Sequence, residues 1–154
     1  MANKRLGPDD YFLGIAVAVS LRSNCIKRKV GAVVVVGGRI VSTGYNGTPS
    51  GMTNCFDGGC ERCADPDLPS GASYDRCVCA HAERNAIYFA ARHGTAVNGG
   101  VMYSTLRPCS TCVEACVQSG ITAVRFAEEW PEGYDRPPEY QLLVGRITNG
   151  VSQI

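Results

Sequence analysis

The sequence predicts an α/β protein in which helices cover both faces of a mixed central sheet, giving three layers. The first observation is a nearly continuous β-branched run at 30–36, followed by Gly37-Gly38 and a second strand-length run at 39–44. Two glycines between two such runs are typical of a β-hairpin. Because the first strand is almost entirely apolar, we expect it to be buried on both faces, with helices on either side of the sheet.

The second observation is an alternation of helix and strand patterns later in the chain. Apolar residues at helical spacing follow His81 and Cys109, and a strand-length apolar run comes after each helix. Strands that alternate with helices pair in parallel, so the sheet should be mixed. The predicted elements are a helix from Pro8 to about 22, strands at 30–36 and 39–44, a helix at 81–92, a strand at 101–105, a helix at 109–119, a strand at 121–126 and a weaker helix at 140–144.

Length and composition favour a single domain, 1–154, that acts on a small molecule. The chain has 154 residues, of which 45% are hydrophobic, enough for one core. A net charge of +1 gives no general attraction to a nucleic acid polymer or a membrane. The N-terminus lacks the pattern of a secretory signal, and the longest apolar run, 11–19, is too short to cross a bilayer. We therefore expect a cytoplasmic protein.

A long segment at about 51–79 has no clear periodicity and is rich in cysteine. A loop of this length in a compact domain usually has a function or a cross-link. In a reducing compartment, nine cysteines indicate metal ligands rather than disulfides. A closed zinc site of four thiolates would order the loop, because its binding free energy contributes to folding. The thiols available are Cys55, Cys60, Cys63, Cys77 and Cys79, together with Cys25 before the first strand.

One stretch in the middle of the chain carries the donors of a catalytic zinc site. His81 stands two residues before Glu83, and Pro108 precedes the pair Cys109 and Cys112. One imidazole and two thiolates leave the fourth position of tetrahedral zinc for a water, whose pKa falls to about 7. Glu83, on the first helical turn, can take a proton from that water and return it to the substrate. This combination resembles the signature of zinc nucleobase deaminases.

Several of these positions have a plainer interpretation when taken alone. His81 could be a polar residue at a helix N-terminus, and the cysteines could be small buried hydrophobic residues. The combined spacing of the two motifs, about 25 residues apart, favours the zinc interpretation. Asn46 is either a turn residue or a substrate contact at a strand end. Trp130 and Tyr134 either flank a base or pack on the core, and Cys116 is a core residue or a neighbour of the ligands.

On these motifs the chain resembles the deoxycytidylate (dCMP) deaminases of the cytidine deaminase-like superfamily. The similarity runs from about Cys25 to Phe126, and Gly-Tyr-Asn-Gly-x-Pro is its most specific motif. The segment after Trp130 departs most from the family pattern. The matching stretches are Cys25-Ile-Lys-Arg-Lys-Val-Gly-Ala-Val, Gly44-Tyr-Asn-Gly-Thr-Pro, Asn54-Cys55, Gly59-Cys60, Pro69-Ser-Gly, Cys77, His81-Ala-Glu-Arg-Asn-Ala-Ile, Pro108-Cys-Ser-Thr-Cys and Gln118-Ser-Gly-Ile.

The resemblance implies a cytidine deaminase-like fold, zinc on His81, Cys109 and Cys112, and Glu83 as proton shuttle. Asn46 is expected near the deoxyribose, with Ala82 and Trp130 as further substrate contacts. A second, structural zinc is also implied. Its expected ligands are Cys25, Cys55, Cys60 and Cys77, whereas Cys63 and Cys79 are additional to the family pattern.

The resemblance further implies regulation and assembly. Family members are commonly hexamers, activated by dCTP and inhibited by dTTP, so a homo-oligomer with nucleotide effectors, and Mg²⁺ accompanying such an effector, is expected. The positions that would serve the effector site or the subunit contacts are Tyr45, Gly47, Phe89 and Arg92.

The leading functional hypothesis is hydrolytic deamination of dCMP to dUMP and ammonia. The alternative is another small substrate, such as cytidine, deoxycytidine, a free base or a modified pyrimidine nucleotide. A tRNA-editing enzyme would need a basic face that a net charge of +1 does not indicate. A non-catalytic zinc-binding module would have no use for Glu83. The basic residues that could meet the 5′-phosphate are Lys27, Arg28, Lys29 and Arg107.

Overall fold

The computed structural model describes residues 4–69, 71–132 and 136–154, which contain five helices and five strands. Each predicted element is present, with ends that differ by no more than about two residues. The helices are α1 Pro8–Ser20, α2 Glu61–Ala64, α3 Ala82–Arg92, α4 Ser110–Gln118 and α5 Pro138–Val144. The strands are β1 Gly31–Val36, β2 Arg39–Tyr45, β3 Val101–Leu106, β4 Ala123–Glu128 and β5 Val151–Gln153.

The strands form one mixed sheet in the order β2-β1-β3-β4-β5. β1 is antiparallel to β2 and to β3, whereas β3, β4 and β5 are mutually parallel. The hairpin turns at Gly37 (φ 56°) and Gly38 (φ 75°), which supply the positive φ that a two-residue hairpin turn requires. β5 is absent from the sequence prediction, because three residues are too few to show an alternating pattern.

Alternate residues of β1 face opposite layers of the molecule. Val33 packs against Phe12 of α1 on one face of the sheet. Val34 lies on the other face, in a core cluster with Ala86 of α3 and Val113 of α4. The nearly continuous apolar sequence of β1 therefore reflects burial on both sides, and the predicted three-layer α/β/α arrangement is confirmed.

Helix α3 lies very close to β2 because a glycine stands between them. A Cβ atom built on Gly44 would lie 2.2 Å from the carbonyl oxygen of Ala82 and 2.3 Å from the backbone nitrogen of Ala86. Such contacts are impossible for any side chain, so Gly44 fixes the distance at which the first turn of α3 rests on the sheet. This first turn carries Glu83, one of the predicted functional residues.

The segment between β2 and α3 has little regular structure. It contains short 3₁₀ turns at Cys55–Asp57 and Tyr74–Arg76 on either side of α2. Two sequence predictions fall outside the described residues: the aromatic Tyr134, and Ser70 in the Pro-Ser-Gly motif. Among the helices of the described part, none combines the length and apolarity needed to cross a bilayer.

Candidate active site

The predicted zinc ligands meet where two helices begin. His81 is the N-cap residue of α3, and Cys109 is the N-cap residue of α4; both have extended backbone. Cys112 lies in the first turn of α4 and is fully buried. The N-terminus of each helix carries partial positive charge, which stabilises thiolates placed beside it.

The three donor atoms have the spacing of ligands on one tetrahedral metal ion. His81 Nδ1 lies 3.3 Å from Cys109 Sγ and 3.4 Å from Cys112 Sγ, and the two sulfurs are 3.6 Å apart. With Zn–S bonds of about 2.3 Å and Zn–N bonds of about 2.0 Å, tetrahedral angles give separations of about 3.5–3.8 Å. The residues present therefore fit zinc, and three donors leave one position of the tetrahedron open.

Glu83 lies beside this group in a buried position. Its side chain is 3% exposed; Oε1 accepts a 2.8 Å hydrogen bond from Ser104 Oγ, and Oε2 lies 3.3 Å from Cys112 Sγ. Burial raises the pKa of Glu83 above its usual value, partly offset by the positive charge of His81 and by the Ser104 hydrogen bond. A carboxyl group with a raised pKa, held next to a metal site, suits proton transfer near neutral pH.

The thiols of the site differ in their tendency to ionise. The hydrogen bond with Cys112 lowers the pKa of Cys109 to about 3, although burial opposes this effect. The same hydrogen bond, together with burial, raises the pKa of Cys112. Burial tends to lower the pKa of His81, but the hydrogen bond and charge of Cys109 outweigh it, so the net shift is upward. At least one thiolate ligand is thus available before a metal binds.

The three predicted substrate contacts line the same pocket as His81 and Glu83. They are Asn46, Ala82 and Trp130. Ala82 is the first residue of α3, where backbone N–H groups have no intrahelical acceptor and are free to donate to a ligand. The indole Nε1 of Trp130 donates a 2.7 Å hydrogen bond to the carbonyl oxygen of Arg107, which holds the ring in the pocket wall.

Asn46 forms hydrogen bonds that connect two segments of the protein. Its Oδ1 accepts hydrogen bonds from Ser23 Oγ (2.7 Å) and from the Val30 amide (2.8 Å). Its Nδ2 donates to the carbonyl oxygen of Arg28 at 2.7 Å. These bonds tie the end of β2 to the segment before β1. Of the donors and acceptors on this amide, one N–H remains for a substrate.

The four predicted phosphate contacts are not equivalent. Lys27 lines the pocket, but its Nζ donates to the carbonyl oxygens of Asp65 and Leu68. Arg28 also lines the pocket, its side chain is 34% exposed, and within the described residues its one ion pair is a 3.4 Å contact with the exposed carboxylate of Glu128. Lys29 is exposed and outside the lining.

Arg107 lines the pocket but is held by other side chains. It pairs with Glu129 at 2.8 Å and donates to the Tyr140 hydroxyl at 3.0 Å. Because exposed ion pairs contribute little energy, Arg28 is the cation most easily released to a ligand.

Two residues of the site are absent from the sequence prediction. Ser104, which donates a hydrogen bond to Glu83, is fully buried in β3, and nothing in the sequence of that strand marks it as a partner of Glu83. Tyr74 lines the pocket, and its ring packs edge-on against the His81 imidazole with 5.6 Å between centroids. It comes from the irregular segment, where no periodicity predicts which side chains point inward.

The predicted effector or interface residues lie apart from the pocket lining or at its margin. Phe89 and Arg92 are in the last turns of α3, about 10 Å and about 15 Å respectively along the helix axis from its first residue. Phe89 is half-buried and Arg92 is exposed. Gly47 forms a short antiparallel bridge with Ala80, and the Tyr45 carbonyl accepts a hydrogen bond from Asn85. Their proposed roles in regulation stay predictions.

Cys25 and the five cysteines of the irregular segment form two groups of four that share two members. The first group is Cys25, Cys55, Cys63 and Cys79, and the second is Cys60, Cys63, Cys77 and Cys79. The predicted set of Cys25, Cys55, Cys60 and Cys77 is divided between them, two thiols to each group. Cys63 and Cys79, which the prediction left aside, belong to both, because α2 and the entry to α3 place them at the centre. Cys116 lies in the main core.

Most of the chain matches one protein family. The family described as "Cytidine and deoxycytidylate deaminase zinc-binding region" matches residues 7–128. The chain belongs to this family. The matched range contains His81, Glu83, Cys109 and Cys112, so the resemblance inferred from the motifs is confirmed.

Individual members of the family are similar over most of this chain. The deoxycytidylate deaminase of Saccharomyces cerevisiae is 43% identical over 79% of the chain, but the match spans only 38% of the yeast protein. The deoxycytidylate deaminase of Mycobacterium phage D29 is 41% identical over 79% of the chain and 94% of the phage protein. The crystal structure of the dCMP deaminase from cyanophage S-TIM5 in complex with dCMP and dUMP covers 97% of the chain and 100% of that chain, with 29% identity and a TM-score of 0.74. The cytidine deaminase-like fold is thereby confirmed.

Proposed function

We propose that the protein is a zinc-dependent dCMP deaminase that converts dCMP to dUMP and ammonia. One observation carries the proposal: a buried carboxyl group, Glu83, lies beside a group of three metal donors without belonging to it. A purely structural zinc site has four protein ligands and no use for such an acid. The relatives named deoxycytidylate deaminases support the choice of substrate.

His81, Cys109 and Cys112 would hold the zinc ion, and two of these residues, His81 and Cys109, line the pocket. When bound, zinc acts as a Lewis acid and lowers the pKa of a water molecule to about 7. The protein's part is to hold the three donors in place through the N-termini of α3 and α4, and to exclude bulk water through burial of the surrounding side chains.

Glu83 moves the protons of the reaction. It takes one proton from the attacking water and delivers it to N3 of the cytosine ring as the new C–O bond forms at C4. It then carries the second proton of that water to the amino group, the C4–N4 bond breaks, and ammonia leaves. The product keeps one proton at N3 and the water oxygen at C4. Ser104 keeps the carboxyl group aimed at this path through its 2.8 Å hydrogen bond.

The pocket walls would orient the nucleotide. The Ala82 amide and the remaining N–H of Asn46 donate to polar atoms of the base and the deoxyribose, while the Trp130 ring covers an apolar face. We assign the 5′-phosphate to Arg28, since it is the pocket cation with the weakest internal contacts. A guanidinium matches a phosphate in charge and geometry.

The regulatory part of the proposal rests on the family resemblance. A homo-oligomer, with a hexamer favoured, would respond to dCTP and dTTP, and Mg²⁺ would accompany the nucleotide effector. The exposed Arg92 and the half-buried Phe89 offer a charged and an apolar contact on one helix face, which suits a subunit contact or an effector phosphate. Such an enzyme would act in the cytoplasm.

Ammonia release with a panel of substrates tests the proposal. The purified holoenzyme should release ammonia rapidly from dCMP, with kcat/KM for dCMP well above the values for deoxycytidine and CMP. Turnover of deoxycytidine with dCMP left untouched would reject the nucleotide assignment while keeping the deaminase. The proposed function would be rejected if the enzyme turned over none of these compounds. It would also be rejected if the enzyme deaminated an adenosine-containing tRNA instead.

A further inference from the structure

We propose that six of the seven cysteines outside the candidate active site, all except Cys116, hold two zinc ions in one cluster, with Cys63 and Cys79 bridging both ions. Cys25 and Cys55 would complete the first ion, and Cys60 and Cys77 the second. This goes beyond the proposed function and does not depend on it, since none of these six residues takes part in proton transfer. We call the six residues the thiol cluster.

The connectivity of the thiol cluster carries the argument. Within each group of four, all sulfur atoms lie within 4.8 Å of one another, and Cys63 and Cys79 are members of both groups. Each of these two sulfurs therefore lies within that distance of every other sulfur in the cluster. Two tetrahedra that share one edge have this arrangement, with two shared corners in the centre and two corners at each end.

The individual distances agree with thiolates on a common metal. The sulfur of Cys63 lies 4.0 Å from that of Cys25 and 3.8 Å from that of Cys77, and the sulfurs of Cys60 and Cys77 are 3.9 Å apart. Two sulfurs on one tetrahedral zinc lie about 3.8 Å apart, because each Zn–S bond is about 2.3 Å. A disulfide needs about 2.05 Å, and all six cysteines are free thiols.

A single zinc ion would account for the cluster less well. It would use four thiols and leave two unliganded, either Cys25 and Cys55 or Cys60 and Cys77. Cys55 and Cys60 are each 1% exposed. The sulfurs of both pairs, Cys25 with Cys55 and Cys60 with Cys77, lie within 4.8 Å of the sulfurs of Cys63 and Cys79. One zinc ion thus accounts for one group of four sulfurs and gives no reason why the sulfurs of the other group also lie within 4.8 Å of one another.

The charge around the cluster supports zinc bound to these thiolates. The guanidinium of Arg62 is buried, with the residue 2% exposed, and Nη1 lies 3.9 Å from Cys63 Sγ. Its remaining bonds go to the carbonyl oxygens of Pro69 and Ala72. No carboxylate of the described residues forms an ion pair with it. A buried cation requires an anionic partner. Two zinc ions with six thiolates carry a net double negative charge, as does one zinc ion with four thiolates, so the charge supports bound zinc and the connectivity supports two ions.

The cluster also explains how an irregular segment becomes ordered next to the pocket. It joins Cys25 before β1, Cys55 and Cys60 around the first 3₁₀ turn, and Cys77 immediately after the second. That second turn carries Tyr74, whose ring lies under Arg62 at 5.1 Å. Because metal binding contributes directly to the free energy of folding, two ions would fix the pocket wall that this segment forms.

Metal counting on the His81→Ala variant tests the inference apart from catalysis. The variant removes a ligand of the candidate active site, so that zinc remaining after saturation and removal of excess metal belongs to the thiol cluster. Native mass spectrometry, with metal analysis normalised to protein, should find two zinc ions per chain. One ion per chain would overturn the proposal, whether or not the unaltered protein deaminates dCMP.

Two further measurements keep the inference testable if a variant folds poorly. Zinc X-ray absorption of the same protein should show all-sulfur coordination and a metal–metal scattering path; all-sulfur coordination without that path would exclude bridging thiolates. Replacing Cys60 and Cys77 together by serine should lower the count by one ion. Cys116→Ser changes a buried cysteine outside both groups, so it is the matched control and should leave the number of zinc ions per chain unchanged. An unchanged number of zinc ions in the double variant would contradict the proposal.

Discussion

The candidate active site and the thiol cluster border the same pocket but offer a metal different surroundings. The active site combines one imidazole and two thiolates with a buried carboxyl group at its side. The thiol cluster has sulfur donors alone, and its four-membered groups fill a tetrahedron completely. Three donors leave a position for chemistry, whereas four close the coordination sphere and leave only a contribution to stability. Two features therefore distinguish a site suited to catalysis from one suited to stabilising the fold: the absence of a fourth protein ligand and the presence of a carboxyl group beside the donors.

The largest expected effect is a loss of kcat on replacement of Glu83, the carboxyl group that is present in the candidate active site and absent from the thiol cluster. Glu83→Gln keeps the shape of the side chain but removes its proton transfer, so kcat should fall by about 10²–10⁴-fold or more. The zinc content should not change, because Glu83 is not among the three donors. Steady-state kinetics together with metal analysis makes the measurement. Glu114→Gln, an exposed position on α4, is the matched control and should behave like the unaltered protein.

A Glu83→Gln variant that kept more than a tenth of its activity would place the proton transfer elsewhere. A variant that lost zinc would instead make Glu83 a ligand. Either outcome would remove the distinction between the two sites.

The opposite behaviour is expected when a ligand of the thiol cluster is replaced. Cys60→Ser removes a buried thiolate, and since structural zinc sites contribute about 10–16 kcal/mol to folding, losing one ligand should cost several kcal/mol of stability. Thermal unfolding should shift to a clearly lower temperature, while kcat per folded molecule falls far less than in Glu83→Gln. A Cys60→Ser protein with unchanged stability but a large loss in kcat would reverse the assignment of roles.

The third effect concerns substrate binding on the active-site side of the pocket. Arg28→Ala should raise KM for dCMP about tenfold to a hundredfold, because a charged hydrogen bond contributes about 1.5–3 kcal/mol. KM for deoxycytidine, which lacks the phosphate, should stay the same. Lys29→Ala changes a neighbouring exposed cation outside the pocket lining and serves as control. Equal effects of Arg28→Ala on both substrates would withdraw the phosphate assignment.

The smallest expected effect tests Ser104 as a positioning residue. Ser104→Ala removes the hydrogen bond to Glu83 Oε1, which should lower kcat by roughly five- to thirtyfold, equivalent to about 1–2 kcal/mol. KM should change little, since Ser104 does not line the pocket. Ser104→Thr retains the hydroxyl group and should restore most of the activity. A loss in KM rather than kcat, or no rescue by threonine, would show that Ser104 acts through the general structure instead.

That the residues of the candidate active site lie together was largely predictable from sequence, because they belong to short motifs with fixed local geometry. His81 and Glu83 share one helical turn, as do Cys109 and Cys112, so each pair is set by the 3.6-residue period. Parallel strands connected by helices then bring both helix starts to the same edge of the sheet. Ser104, by contrast, becomes a partner of Glu83 only through the packing of α3 on β3, which no local pattern specifies.

Periodicity and motif spacing are local properties of the chain, and they were enough to predict the mixed sheet, the order of helices and strands, and the three candidate donors with their neighbouring acid. Long-range packing sets the remaining features: which cysteines lie together, the membership of Cys63 and Cys79 in both groups, and the position of Tyr74 at the pocket. The physical reason is that an irregular segment has no period to fix the direction of its side chains. Its conformation follows from contacts between residues distant in sequence, such as Cys25 and Cys63.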